Sequence, residues 1–354
     1  MGIWRKESVV VEKPLRIDFA GGWSDTPPIC FKMGGCVLNG AISLGSLLPV
    51  RAEVAQIDKE IVIVESVDLK KKGTLSSIEE LHDHSNPADW MALVKSALVV
   101  IGYDFSWGGC FIRISADVPK GSGLGTSSIL GAALLEALAL MRGECVDWRI
   151  TASRVLLLEQ EMGTGGGWQD QVGALLPGVK LLETDPGKSQ RISVTQLDDS
   201  AILDFSKFLD ERALLLFTGR KRMARNVLRG VVRFFDENPD GFATEIISTI
   251  KKDARDAFDA IKNRDWEKFC ATLNAYWLNK KALDPGSTNP LVESIIARIA
   301  PWTSAVSLCG AGGGGFMLII ARDGRQRDKI RSQFERFPPV RGAKCFDFSL
   351  IFDK

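Results

Sequence analysis

Residues Pro119–Ser128, Pro-Lys-Gly-Ser-Gly-Leu-Gly-Thr-Ser-Ser, run directly into the apolar segment Ile129-Leu-Gly-Ala-Ala-Leu-Leu-Glu-Ala-Leu. The second segment reads as a helix. The first is built of residues small enough to turn backbone N–H groups inward where that helix begins. Four unpaired donors and the positive end of the helix dipole meet there, a natural seat for an anion. Glycines let the backbone approach closely, and Thr126, Ser127 and Ser128 add hydroxyls suited to phosphate oxygens or Mg²⁺. Taken alone, such a loop is equally a turn with a helix cap. Two further glycine clusters, Gly163-Thr-Gly-Gly-Gly and Gly310-Ala-Gly-Gly-Gly-Gly, give it company. Three clusters so far apart suggest one nucleotide and substrate site built from distant segments.

Other nucleotide-binding patterns fail on inspection. A Walker loop needs Lys-Ser/Thr after its last glycine, whereas Gly125 is followed by Thr126-Ser127. Gly310, Gly312 and Gly315 formally match GxGxxG. They precede Phe316-Met-Leu-Ile-Ile, however, which reads as a strand, and a dinucleotide fingerprint requires a helix there.

The chain has 354 residues, enough for two domains, with 45% hydrophobic residues and a net charge of +1. No basic excess points to nucleic acid, and no charge block marks a tail. Seven cysteines without regular spacing, and no CxxC pair, argue for reduced thiols in a cytoplasmic protein and against structural zinc. The N-terminal Met-Gly-Ile-Trp-Arg-Lys lacks a signal-peptide core, and no apolar run is long enough to span a bilayer.

Periodicity predicts strands over Val50–Ala55, Ile61–Glu65 and Cys110–Asp117. Between them, Asp89 can cap a helix with Trp90, Leu93, Val94, Ala97, Leu98 and Ile101 on one face. Helices follow from Ile129 and over Thr151–Met162, then a short strand over Ala213–Phe217. From Arg222 to Ala300 the pattern is helical, broken by Pro239, Pro285 and Pro290. Strands over Ala305–Leu308, Phe316–Ala321 and Cys345–Phe352, with a helix near Gln326–Phe337, complete the chain. The expectation is α+β with antiparallel pairing and a domain boundary between Gln190 and Ser206, giving domains of about 1–195 and 196–354.

Several residues invite a chemical reading. Trp23, Ser24 and Asp25 follow Gly21-Gly22 on a turn, where a carboxylate and an aromatic face could hold a sugar; the same Asp could simply cap the Pro27-Pro28 turn. Asp170 follows Gly165-Gly-Gly-Trp-Gln, in a glycine-flanked turn open to a ligand or stabilised by an Asx contact. Glu159 falls near the end of the preceding helix, where glutamates commonly face solvent. His82 and His84 read as a solvated loop more readily than as a metal pair, since no ligand cluster accompanies them.

Three blocks, Pro14-Leu-Arg-Ile-Asp-Phe-Ala-Gly-Gly-Trp-Ser-Asp-Thr-Pro-Pro, the Pro119–Ser128 loop and Leu308-Cys-Gly-Ala-Gly-Gly-Gly-Gly-Phe, resemble in order the three motifs of the GHMP kinases. Within that family the first block and Gly165-Gly-Gly-Trp-Gln-Asp-Gln look most like the fucokinase and heptose 7-phosphate kinase branch of sugar 1-kinases. Thr218-Gly-Arg-Lys-Arg-Met-Ala-Arg-Asn-Val-Leu, Tyr276-Trp-Leu-Asn-Lys-Lys and Pro285-Gly-Ser-Thr-Asn-Pro are similar to fucokinase segments. The resemblance implies a two-domain α+β fold, with an N-terminal ribosomal-protein-S5-domain-2-like domain and a C-terminal ferredoxin-like domain. It implies ATP and Mg²⁺ as cofactors and a small sugar as partner, with neither nucleic acid nor membrane.

The same resemblance assigns roles. Pro119, Lys120, Gly121, Ser122, Gly123, Leu124, Gly125, Thr126, Ser127 and Ser128 would wrap the ATP phosphates. Ser127 and Glu159 would hold Mg²⁺, a hard cation that prefers oxygen. Asp170 would take the proton of the anomeric hydroxyl, and Arg16 would favour the developing alkoxide. Trp23, Ser24, Asp25, Gly166, Gly167, Gly312 and Gly313 would lie on the substrate side. The leading expectation is phosphorylation of L-fucose at its anomeric hydroxyl. A heptose 7-phosphate 1-kinase is the rival, with Arg220, Lys221, Arg222 and Arg225 as a phosphate pocket or merely a solvated helix start. A sensor that binds ATP and sugar without turnover is the alternative of another class; the complete set Arg16, Ser127, Glu159 and Asp170 speaks against it.

Overall fold

The computed structural model describes residues 4–45, 48–83, 89–119, 121–163, 165–220, 224–237 and 241–352. Lys120, His84, Lys221, Arg222 and Pro239 lie outside the described residues, as does the side chain of Arg225. The chain divides into two compact units that interleave in sequence: Met1–Leu15, Leu48–Val118 and Thr126–Leu176 form one, and Arg16–Leu47, Pro119–Gly125 and Pro177–Lys354 the other.

The first unit is a five-stranded sheet covered by helices. Its strand order is β1 (Ser8–Lys13), β4 (Val50–Ile57), β7 (Gly109–Ala116), β5 (Val62–Ser66), β6 (Lys71–Leu75). All neighbours are antiparallel except β5 and β7, which run parallel. In β7 the residues Cys110, Ile112, Ile114 and Ala116 are buried and those between are not, as the period of two requires. Helix α4 (Thr126–Met141) packs on β1 and β4 and against α3 (Ala92–Val100), α5 (Trp148–Glu161) and α6 (Gln169–Leu175). It is buried almost all round, and its one carboxylate, Glu136, is matched by Lys13 at 2.7 Å. A buried carboxylate left alone would be costly, so this pair lets α4 sit in the core. Asp147 caps α5 by accepting the backbone N–H groups of Arg149 and Ile150. The short α2 (Ile78–His82), ending on the exposed His82, packs on α3.

The second unit holds two sheets. One has the order β14 (Phe348–Leu350), β3 (Cys36–Leu44), β8 (Val179–Glu183), β9 (Ser193–Gln196), with β2 (Leu15–Ala20) also paired to β3. The other, β11 (Thr303–Leu308), β12 (Phe316–Ala321), β10 (Ala213–Phe217), β13 (Lys344–Phe346), is antiparallel throughout. The helices are α1 (Ile29–Met33), α7 (Asp199–Arg212), α8 (Ala224–Glu237), α9 (Phe242–Lys262), α10 (Trp266–Leu283), α11 (Pro290–Ile299) and α12 (Gly324–Arg336). A core of Leu214, Leu216, Val306, Ile319, Trp277 and Ile295 joins the second sheet to α10 and α11.

The α+β reading holds, and two local expectations are corrected. Cys345–Phe352 is not one strand: Asp347 interrupts it, its carboxylate bound by Arg327 and Arg331 and its carbonyl by Gly45 N–H. The halves therefore join different sheets, β13 beside β10 and β14 beside β3. The break expected at Pro290 is present, where the proline opens α11 with Asn289 as its cap. Asp170 stands in the first turn of α6, not in an open turn, because the buried Trp168 anchors a helix start. Among the described residues, no helix is long and apolar enough to cross a membrane.

Candidate active site

In the second unit, strand β2 delivers Arg16 into the interior. The side chain is 3% exposed, and its Nη1 donates to the carbonyl of Gly123 at 2.7 Å. Its backbone N–H meets the carbonyl of Leu124. The glycine loop is therefore tied to β2 through both main chain and side chain.

The loop itself explains its own sequence. Gly121, Gly123 and Gly125 have φ of 69°, 78° and 75°, so every second position is left-handed and favours glycine. Between them Ser122 is buried, its hydroxyl accepting the N–H of Leu124 and its carbonyl accepting the N–H of Phe316. Space matters as much as φ at Gly123, where a Cβ would stand 2.4 Å from the carbonyl oxygen of Cys309.

The late glycine cluster is a hairpin connection between β11 and β12, which confirms that it is no dinucleotide fingerprint. It packs against the loop: a Cβ on Gly310 would lie 2.8 Å from the carbonyl oxygen of Gly123, and one on Gly315 would lie 2.6 Å from that of Ser122. Gly312 and Gly313 are held by the backbone of Ser287, and Asn289 donates to the carbonyl of Gly313 at 2.8 Å. Two of the three glycine clusters are thus brought together within this unit.

The Gly21–Asp25 turn is also buried. Ser24 is spent on structure: its hydroxyl donates to the carbonyl of Gly21 at 2.6 Å and accepts the N–H of Cys36. Asp25, 1% exposed, is no solvated cap. Trp23 holds φ of 80°, a strained value for a bulky residue, and its buried Nε1 has no hydrogen-bond partner among the described residues.

In the first unit the chain passes from Gly125 into α4, whose first turn is Thr126, Ser127 and Ser128. Ser127 is exposed, whereas the buried Ser128 donates its hydroxyl to Oε1 of Glu159. Glu159, 8% exposed, does not face solvent. Gly166 lies against it, for a Cβ there would stand 2.6 Å from Oε2. Gly167 and Asp170 are half-buried. A buried carboxylate beside one hydroxyl and a missing Cβ offers oxygen ligands of the kind that fit Mg²⁺.

Sequence reasoning missed Asp18, Tyr276 and Lys280. The signal was present: an Asp and an Arg two positions apart in the otherwise apolar strand Leu15-Arg-Ile-Asp-Phe-Ala, where alternation puts both on one face. Among the described residues, no group of three or more metal-ligating side chains exists, and His84 lies outside them.

Comparison with known proteins finds relatives along nearly the whole chain. The model for GHMP kinases N terminal domain matches residues 92–178, and that for GHMP kinases C terminal matches 257–340. The chain is 36% identical, over 98% of its length and 33% of the relative's, to a bifunctional fucokinase/GDP-fucose pyrophosphorylase of Arabidopsis thaliana. To an L-fucokinase/L-fucose-1-P guanylyltransferase of Bacteroides fragilis it is 33% identical, covering 99% of this chain and 38% of that one. It thus spans little more than a third of the length of these two relatives. A D-glycero-alpha-D-manno-heptose 7-phosphate kinase of Campylobacter jejuni is 26% identical, with 92% and 93% of the two chains covered. Among solved structures, a Lactococcus lactis galactokinase complexed with galactose shares the fold, at TM-score 0.73 and 17% identity over 98% and 94% of the chains.

Proposed function

Because this chain belongs to the GHMP kinases, we propose that it transfers the terminal phosphoryl group of ATP to the anomeric hydroxyl of a free sugar, L-fucose. The observation that carries this reading is the 36% identity to a fucokinase-containing relative across 98% of the chain. The buried Arg16, the glycine loop it holds and the Ser128–Glu159 pair supply parts that phosphoryl transfer needs, which are positioning and charge neutralisation.

In this proposal residues 119–125 and the first turn of α4 bind the phosphates through backbone N–H groups and hydroxyls. Mg²⁺, when bound, neutralises phosphate charge; Glu159 and Ser127 hold it, and Ser128 orients the carboxylate. Asp170 accepts the proton of the anomeric hydroxyl as the O–P bond forms, and the bond to the ADP leaving group breaks. Arg16 offsets the negative charge that develops. Trp23, Asp25 and the backbones of Gly166, Gly167, Gly312 and Gly313 serve the sugar side, with Ser24 shaping the turn that carries Trp23 and Asp25.

ADP release measured with Mg-ATP and a panel of free and phosphorylated sugars tests the reading. Turnover with L-fucose supports it. Preference for a heptose 7-phosphate, as the 26% identical relative would suggest, replaces it with the rival.

A further inference from the structure

Asp18 has no part in the reading above, yet it is the hub of the buried polar groups around Arg16. It is 3% exposed, and its two oxygens are used differently. Oδ1 accepts the N–H of Gly310 at 2.9 Å and stands 4.0 Å from Nη1 of Arg16. Oδ2 accepts the hydroxyl of Tyr276 at 2.8 Å and stands 3.9 Å from Nζ of Lys280. Lys280 is fully buried and donates to the carbonyls of Leu308 at 2.8 Å and Gly310 at 2.7 Å.

One carboxylate therefore lies between two buried cations and grips the glycine hairpin. Burying three charged side chains is expensive, and apolar residues of similar volume would commonly serve packing as well or better. What an anion supplies, and an apolar residue cannot, is direction. The Arg16 guanidinium is a planar fork with five donors. Gly123 engages its Nη1, and the Asp18 carboxylate stands 4.0 Å from the same nitrogen. Tyr276 is suited to its part: burial and the nearby Asp18 push its hydroxyl well above the usual tyrosine range, so it remains a donor at working pH.

We propose that Asp18 is a positioning residue that aims the Arg16 guanidinium, with Tyr276 and Lys280 holding Asp18 in place. The consequence for catalysis rests on the kinase reading, in which Arg16 acts on the transition state. Loss of aim then lowers kcat and leaves ground-state binding nearly unchanged.

Asp18→Asn keeps the shape and an acceptor for Gly310 while removing the charge. Its kcat should fall about 10- to 100-fold, with KM for ATP and sugar within about threefold of wild type. On an Arg16→Met background the same change should cost less than about threefold more, because a residue acting through Arg16 has nothing left to aim. If Asp18→Asn does not fold, Tyr276→Phe, which removes only the donor to Oδ2, gives the same cycle with a smaller loss. Independent losses that multiply in the double variant overturn the proposal.

A second readout does not depend on turnover. The side-chain Nη NMR signals of Arg16, assigned by their disappearance in Arg16→Met, should be separately resolved in wild type. They should merge by faster rotation in Asp18→Asn or Tyr276→Phe. Unchanged Arg16 signals in the folded variants refute the positioning role whatever the substrate. Merging in these variants, together with a wild-type protein that phosphorylates no sugar, refutes the kinase reading alone.

Discussion

The hydroxyl of Ser128, in the first turn of α4, donates to the carboxylate of Glu159 near the end of α5, and both groups are buried. A hydroxyl and an anion meet there at a helix start, the end of a helix that favours negative charge.

Glu159→Gln retains an acceptor for Ser128 and removes the charge. The Mg²⁺ concentration giving half-maximal ADP release should rise about tenfold, with kcat lower and the fold intact. A Mg²⁺ titration identical to wild type would leave Glu159 as a partner of Ser128 only.

Asp170→Asn should lose about 10²- to 10⁴-fold in kcat, the usual contribution of a general base. Affinities for ATP and sugar, measured by calorimetry, should stay close to wild type. Near-normal turnover would make Asp170 a residue of the α6 start and remove it from the mechanism.

Gly123→Ala and Gly310→Ala should both destabilise the protein, by about 2–5 kcal/mol each, since left-handed φ and overpacking against backbone combine. Neither variant can report on nucleotide binding in an intact fold, because a Cβ at either position meets carbonyl oxygen, at 2.4 Å and 2.8 Å respectively. Urea unfolding gives the values. Unaltered midpoints would mean that the loop and the hairpin are not packed together as described.

Lys180 provides a pH signature. It is fully buried in β8, donates to the carbonyl of Gly178 at 3.2 Å, and burial pulls its ammonium group down from the usual lysine range to about 7. An unfolded lysine keeps its proton to about pH 10. Between these values the unfolded chain binds the extra proton, so stability rises with pH; below about 7 both states are protonated and the slope disappears. Wild type should gain on Lys180→Met by about 1 kcal/mol per pH unit between roughly pH 7.5 and 9.5. Denaturation curves with the same pH slope for both proteins would contradict this.

The parts legible in the sequence were those with a local signature. Alternating Cys110, Ile112, Ile114 and Ala116 announced β7, and the switch from glycines to an apolar run announced α4. Strand β3 gave no alternation, because all its residues but Leu44 are buried, and a strand covered on both faces has no polar side to read. Helix α7 was not read from the sequence, though Asp198 caps it and its buried Ala201, Ile202, Phe205, Phe208 and Leu209 follow a helical period. Arg16, Asp25, Glu159 and Asp170 could be named from motif resemblance alone. The contacts among Asp18, Tyr276 and Lys280 could not, since Asp18 lies up to 262 positions from the other two and only the folded chain brings them together. The hydrogen bond to Glu159 from Ser128, rather than from Ser127, likewise depends on which face of α4 is inward.

Phosphorus NMR of the product formed from L-fucose and Mg-ATP tests the central claim most directly. The account predicts a sugar phosphate whose phosphorus couples to the anomeric proton, formed at least tenfold faster than product from heptose 7-phosphate at equal concentration. A phosphoryl group on any other hydroxyl, or the opposite order of rates, would contradict it.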